Sequence, residues 1–411
     1  MKPEDALPAD TKSRFRVLEA SALRAWLDGK PREAAFLWEK LAAVLPLLPN
    51  CPVNLALAAD TRGEFRKAEK IVADAWARGA RSDALDERLF FYRIWNRHSA
   101  LAREECLAIA GDPASPLAKT VTACLYLLAE NVLEPARAGL ARVARDAADT
   151  RIGRQAAKYL LAADILAKAG AQGRAPISGH LSPARDAILV REPGADTTVI
   201  VFTLGGELSL PVNAVHALLQ PAKVNAIYLF DDRNQLGLAG NSTFGRPYAA
   251  MCDGLRRKLA AWGTRRLVIM GHSACGYTAL RLGLDLAAHG VLCFSPIATL
   301  YRPPESPIET AKTNDDARAI SYEVFLRETI PEMMTDLRPD LCARTCLQRI
   351  AIHFGAKSPA DMLHAQYLAG VPGVEIFPVE GLRDHDSLPW VLRQQPGVLS
   401  RFVENVRKDR N

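Results

Sequence analysis

Apolar residues recur three and four positions apart through almost all of the first 170 residues, in stretches rich in Ala, Leu, Arg and Glu. That spacing predicts a succession of amphipathic helices. Beyond residue 185 the pattern changes to short apolar runs separated by helix-like segments: DAILVRE (186–192), TTVIVFTL (197–204), NAIYLFDD (225–232), RRLVIMG (265–271), GVLCFSP (290–296), LQRIAIHFG (347–355) and VEIFPVE (374–380). Continuous apolar runs of this length alternating with helices predict a mostly parallel sheet covered on both faces. The intervening AGAQGRAPISGHLSPA (169–184) is rich in Gly, Pro and Ser and predicts a linker. The expected organisation is a helical domain over 1–170, a linker over 171–185 and an α/β domain over 186–411, for which a chain of 411 residues has ample material.

The helical part repeats itself. GKPREAAFLWEKLAAVLP begins at Gly29 and GEFRKAEKIVADAWARGA at Gly63, and the register continues through Ala34, Ala68, Ala102 and Ala136, with Trp38, Val72, Cys106 and Leu140 one turn further on. A small residue suits the point where two helices of a hairpin cross closely, since a larger one forces the axes apart. With Pro46 closing the first unit, this pattern resembles the tetratricopeptide repeat, although Arg97 and Asn131 stand where the later units would carry the turn glycine. An alanine-rich helical array with coincidental spacing is the alternative. The resemblance implies a protein partner for this segment and makes RIGRQAAKYLLAADILAKA (151–169) the helix that covers the last repeat.

Composition narrows the functional classes. The net charge of +6 comes from 52 basic and 46 acidic residues mixed along the chain, which argues against nucleic-acid binding. MKPEDALPADTKSRFR lacks the apolar core of a signal peptide, and no segment reaches the roughly 18 apolar residues of a membrane span. A cytoplasmic protein is expected. The eight cysteines lie mostly in apolar surroundings, and Cys342 and Cys346 have no nearby pair to complete a zinc site, so reduced thiols and no metal are expected. TLGGELSL lacks the spaced glycines of a dinucleotide loop.

The chemistry centres on LVIMGHSACGYTALRLG (267–283), where a strand gives way to a helix across Ser273. A serine in such a turn is lifted clear of the sheet provided its neighbours two residues either side are small. Those neighbours are Gly271 and Cys275, followed by Gly276. A serine that merely caps the helix is the alternative. A nucleophilic serine needs an imidazole base, and His385 in VEGLRDHDSLPW lies in a polar loop directly after the last strand. His353 falls inside a strand, His364 on a helix, and His272 is expected to pack on the far side of the turn.

With GHSACG and GLRDHD in these places, residues 186–405 resemble the α/β-hydrolase superfamily, and more distantly the hydrolase-like domains of accessory secretion proteins that acetylate glycans. The resemblance implies a serine esterase working without a cofactor on a small-molecule or glycan ester, in the chain order Ser, acid, His. An acyltransferase acting on a glycan hydroxyl and a non-catalytic scaffold remain as alternatives. It also implies an oxyanion hole from the N–H of Ala274 and one from Leu204 or Gly205. For the acid, Gly355 is followed by Ser358 where the family often has Asp, so the carboxylate expected is Asp361. Asp384 and Asp386, flanking His385, are the competitors, and Ser-Pro-Ala-Asp also reads as a plain helix start. The loop FDDRNQLGLAGNSTFGRP (230–247) offers Asp232, Arg233 and Asn241 as substrate contacts, and 300–345 is long enough for a lid. A fragment from about residue 180 onward is expected to stand alone as an active domain.

Overall fold

A computed structural model of the chain describes residues 9–409 apart from 29, 45–49, 97–98, 205–209, 232, 301–324, 327–328, 332–333 and 345–348. Most of the expected lid therefore lies outside the described residues. The chain divides into two compact units, one formed mainly by Met1–Ala123 and the other by Cys124–Pro304 with Ile330–Asn411.

The first unit is built of helices α1 (Ala9–Leu27), α2 (Pro31–Val44), α3 (Asn50–Thr61), α4 (Phe65–Ala77), α5 (Asp83–Trp95) and α6 (Ser99–Gly111), with α7 (Leu117–Ala129) crossing into the second. Helices α8 (Leu133–Asp146) and α9 (Arg151–Lys168) follow. The helices α2, α4, α6 and α8 start at residues 31, 65, 99 and 133, a constant step equal to the spacing read from the sequence. Ala34, Ala68 and Ala136 are fully buried, as are Val72, Cys106 and Leu140 one turn on, and Trp38 is nearly so. The side chain of Ala102 lies outside the described residues. Trp38 packs on Trp26 with ring centroids 5.6 Å apart, so the small residue and the large one share the helix face that builds the core.

The second unit holds seven strands: β1 (Ala187–Val190), β2 (Thr197–Leu204), β3 (Asn225–Asp231), β4 (Arg266–His272), β5 (Gly290–Phe294), β6 (Arg349–Gly355) and β7 (Val374–Val379). Their order is β1-β3-β2-β4-β5-β6-β7, with β1 antiparallel to β3 and all other pairs parallel. Every residue of β3 and β5 is buried, and since alternate side chains point to opposite faces, both faces of the sheet are covered. The helices are α10 (Val212–Leu219), α11 (Tyr248–Ala261), α12 (Ala274–Asp285), α13 (Arg338–Ala343), α14 (Pro359–Leu368), α15 (Ser387–Gln394) and α16 (Val398–Lys408). This is the α/β-hydrolase fold, joined to a helical N-terminal segment. The parallel strands β4, β5, β6 and β7 all deliver their carboxyl ends to one edge, where the segments carrying Ser273, Asp361 and His385 begin.

The compact unit that contains the sheet begins at Cys124, well before residue 186, so α8, α9 and the stretch 171–185 belong with the sheet. The cause is a set of buried amide contacts that composition does not reveal. Asn213 on α10 donates to the Leu128 carbonyl at 2.6 Å and to Asn131 Oδ1 at 2.7 Å. Gln172 accepts from the Leu133 N–H at 2.9 Å, and Asn131 donates to the Arg174 carbonyl. A stretch whose polar groups are satisfied by helices on one side and sheet elements on the other does not behave as a free linker.

Candidate active site

Ser273 sits between β4 and α12 with φ 55° and ψ −127°, a left-handed conformation that costs a residue with a side chain of order 1–3 kcal/mol. The turn is held by Ser273 N–H donating to the Phe294 carbonyl at 2.9 Å, and by Gly276 N–H donating to the Ser273 carbonyl at 2.9 Å. Two glycines make it possible. A Cβ on Gly271 would lie 2.2 Å from the Cys275 carbonyl oxygen, and one on Gly276 would lie 2.6 Å from Pro296 Cβ. Cys275, the departure from the usual glycine, is buried, and burial pushes its thiol well above the ordinary range. The serine side chain makes no capping bond to α12. Its Oγ lies 2.6 Å from His385 Nε2 instead.

The other face of the imidazole meets Asp361. His385 Nδ1 is 2.5 Å from Asp361 Oδ1, so with Nδ1–H given to the carboxylate, Nε2 is left to accept the Ser273 hydroxyl proton. Asp361 occupies the first turn of α14 behind Pro359 and is almost fully buried. Its Oδ2 accepts from Ser295 Oγ at 2.7 Å and from the Gly355 N–H at 3.4 Å. Ser295 lies directly after β5 with φ 44°, and its Oγ is also 2.9 Å from Ser387 Oγ. Asp361 thus stands at the helix start and beside His385 at once, with Ser295 as a partner that the sequence did not single out. Burial pulls the His385 pKa down, but the hydrogen bond and charge of Asp361, with the charge of Asp386, outweigh it and leave the net shift upward.

The competing groups go elsewhere. Asp386 accepts from Lys158 Nζ at 3.2 Å. His353 lies within β6, stacked between Phe294 and Phe377. His364 accepts from the Ala298 N–H at 3.3 Å, and burial depresses its pKa to about 4. His272 does not turn to the far side: its ring centroid is 5.3 Å from that of His385, and its Nε2 is 3.3 Å from the His385 carbonyl. Burial, with the neighbouring His385 charge, lowers its pKa to about 4, so it is neutral near pH 7. No sequence signal links Lys158 or His272 to the histidine loop.

Of the oxyanion candidates, Ala274 is the first residue of α12, whose opening N–H groups have no intrahelical acceptor. Leu204 ends β2, and Gly205 lies outside the described residues. Asp232 also lies outside them. Arg233 is exposed, with its N–H donated to Asp231 Oδ1 at 3.0 Å. Asn241 is buried, donates to the Asp186 carbonyl at 3.2 Å and accepts from the Phe244 N–H at 2.8 Å, which braces its loop. The Asp186 carboxylate holds the same loop through the Ser242 N–H and Thr243 hydroxyl. Among the described residues no helix is long and apolar enough to cross a membrane, and no cluster of side chains is arranged to hold a metal ion.

No protein-family model matches the chain, and no curated protein matches it. Solved structures do. A carboxylesterase structure from the ammonia-oxidizing thaumarchaeon Nitrososphaera gargenis is 16% identical, with 56% of this chain and 98% of that chain covered at a TM-score of 0.37. The capsule O-acetyltransferase of Neisseria meningitidis serogroup A is 13% identical, covering 53% and 90% at a TM-score of 0.36. A hydrolase from Oleispira antarctica is 13% identical, covering 54% and 96% at 0.35.

Proposed function

We propose that the chain is a serine hydrolase that cleaves esters through an acyl-enzyme, with Ser273 as nucleophile, His385 as general base and acid, and Asp361 as the carboxylate that orients the imidazole. The observation that carries this reading is the unbroken hydrogen-bonded path from Asp361 through His385 to Ser273, on segments that follow three different strands at one edge of the sheet. A scaffold without chemistry has no use for a serine held in a costly left-handed turn with its hydroxyl on an imidazole.

Ser273 Oγ attacks the ester carbonyl while its proton passes to His385 Nε2. The imidazolium formed is stabilised by Asp361, whose charge is fixed by Ser295 and the Gly355 N–H. His385 then returns the proton to the departing alkoxide, the C–O bond breaks and the acyl group remains on Ser273. Water, deprotonated by His385, releases the acid and restores the serine. The N–H of Ala274 and one from Leu204 or Gly205 stabilise the negative oxygen in both steps, an effect of about 3 kcal/mol per donor. The scheme uses no cofactor. The constant step between helix starts supports a tetratricopeptide-like array in the N-terminal segment, and hence a protein partner there.

The test is covalent labelling by a fluorophosphonate. Labelling of the wild-type chain at Ser273, absent in Ser273→Ala, supports the assignment, whereas labelling that survives the substitution sinks it.

A further inference from the structure

The loop carrying His385 is tied to α9 by side chains that the reaction does not use. Lys158 on α9 has a side chain only 13% exposed and donates to Asp386 Oδ2 at 3.2 Å. Asp386 directly follows His385 and stands at the N-cap of α15, yet its carboxylate caps nothing. Its Oδ1 is 3.6 Å from His272 Nε2, the same nitrogen that lies 3.3 Å from the His385 carbonyl. Further along α15, Arg393 reaches the Ala157 carbonyl on α9 at 3.4 Å.

A carboxylate next to a catalytic imidazole is a hazard. Free to rotate, Asp386 competes with Asp361 for the ring N–H, and each contact it wins turns Nε2 away from Ser273. His272 is neutral near pH 7 and donates Nε2–H to the loop backbone, and Lys158 is a cation that binds the carboxylate directly. We propose that Lys158 is a positioning residue: by binding Asp386 it keeps this competitor off the imidazole and holds His385 between Asp361 and Ser273. The proposal rests on the reading of Ser273 and His385 as nucleophile and base, and it assigns α9 to the catalytic unit.

The titratable groups around His385 are Asp361 and His364 from α14, Asp386 from its own loop, His272 from the end of β4 and Lys158 behind Asp386. His364 is pushed to about 4 by burial and does not titrate near neutrality. Asp386 already raises the His385 pKa, and its release brings its charge closer.

The test compares Lys158→Met, Lys158→Arg, Asp386→Asn and the double variant Lys158→Met/Asp386→Asn in the full chain. One readout is the NMR titration of the His385 imidazole, and the other is the rate of fluorophosphonate labelling against pH. Lys158→Met is expected to raise the His385 midpoint and to slow labelling about tenfold at neutral pH, since small misplacements of a catalytic base are costly. Lys158→Arg keeps both near wild type. Asp386→Asn lowers the midpoint but labels within about twofold of wild type, and in that background Lys158→Met costs little more, the signature of coupled sites. The proposal is overturned if Lys158→Met leaves midpoint and rate unchanged. It is equally overturned if Asp386→Asn slows labelling as much as Lys158→Met, because the pair is then only a structural brace. If Lys158→Met folds poorly, a roughly tenfold slowing of labelling in Asp386→Asn alone overturns the proposal. Failure of the wild type to label at Ser273 would instead remove the hydrolase reading, while the His385 titration still reports on Lys158.

Discussion

Asp361 reaches His385 at 2.5 Å from 24 positions earlier in the chain, while Asp386, the immediate neighbour of His385, turns away toward Lys158. Adjacent residues on a loop point their side chains apart, so the orienting carboxylate has to come from another strand end. Asp361→Asn is expected to lower the acylation rate about a hundredfold or more, because an amide leaves the imidazole in the wrong tautomer. Asp384→Asn should stay close to wild type. Pre-steady-state acylation of a chromogenic ester measures both, and a normal rate in Asp361→Asn would refute the assignment.

Activity and stability respond to His385 in opposite directions. The fold raises its pKa, so the acid limb of the labelling rate is expected above the ordinary value of about 6.5 for histidine. The stability that this shift contributes is complete below about pH 6.5 and is lost as pH rises through the folded pKa. Labelling rate against pH in wild type and Asp361→Asn reads the first effect, with the limb moving down in the variant.

His216, His272, His353 and His364 shift the other way, each depressed by burial to about 4. Between the unfolded value of about 6.5 and that folded value the unfolded chain binds more protons, so stability falls as pH falls through this window. Thermal melts from pH 7 to pH 4 are expected to show a steady loss, reduced in His353→Phe, which keeps the stack between Phe294 and Phe377 and removes one titrating ring.

Gly271→Ala would press a methyl onto the Cys275 carbonyl, with no flexible group to yield. The expected cost is about 1–3 kcal/mol together with loss of labelling, since the displaced backbone is the serine turn itself. Cys275→Ala, which only shortens a buried side chain, should label normally. Denaturant unfolding and labelling of the two variants separate the effects.

A fragment beginning near residue 180 lacks Lys158, Leu128 and Asn131, and leaves the buried Asn213 amide without its acceptors. It is expected to aggregate or to lose activity. A fragment beginning near Asp112, which keeps α7, α8 and α9, should fold and label. Soluble yield and labelling of the two fragments decide between this boundary and the one that composition suggests.

The seven strands were legible because each rests on local chemistry, and signals of the same local kind pointed to Ser273, His385 and Asp361. Continuous apolar runs fix the strands, small residues fix the serine turn, and a polar loop after the last strand fixes His385. What was not legible depends on pairs distant in sequence. Asn241 reads as a polar loop residue until its partners, the Asp186 carbonyl and Phe244 N–H, are known. Ser295 could have been noticed as a polar residue ending a buried strand at the same edge as Ser273. Lys158 could not, because its partner lies 228 positions away. The stretch 171–185 is a similar case: Gly and Pro mark a change of direction, and whether the chain is anchored depends on Asn131, Gln172 and Asn213.

The starts of α2, α4, α6 and α8 at 31, 65, 99 and 133 make the N-terminal segment a quantity that comes in whole steps. Removing one full step, such as residues 31–64, joins helix to helix in the same phase and preserves the sequence from α7 onward. Removing half a step would put a first helix of a hairpin where a second is needed. A change of length in whole steps therefore keeps this spacing and leaves the sequence that carries Ser273 untouched.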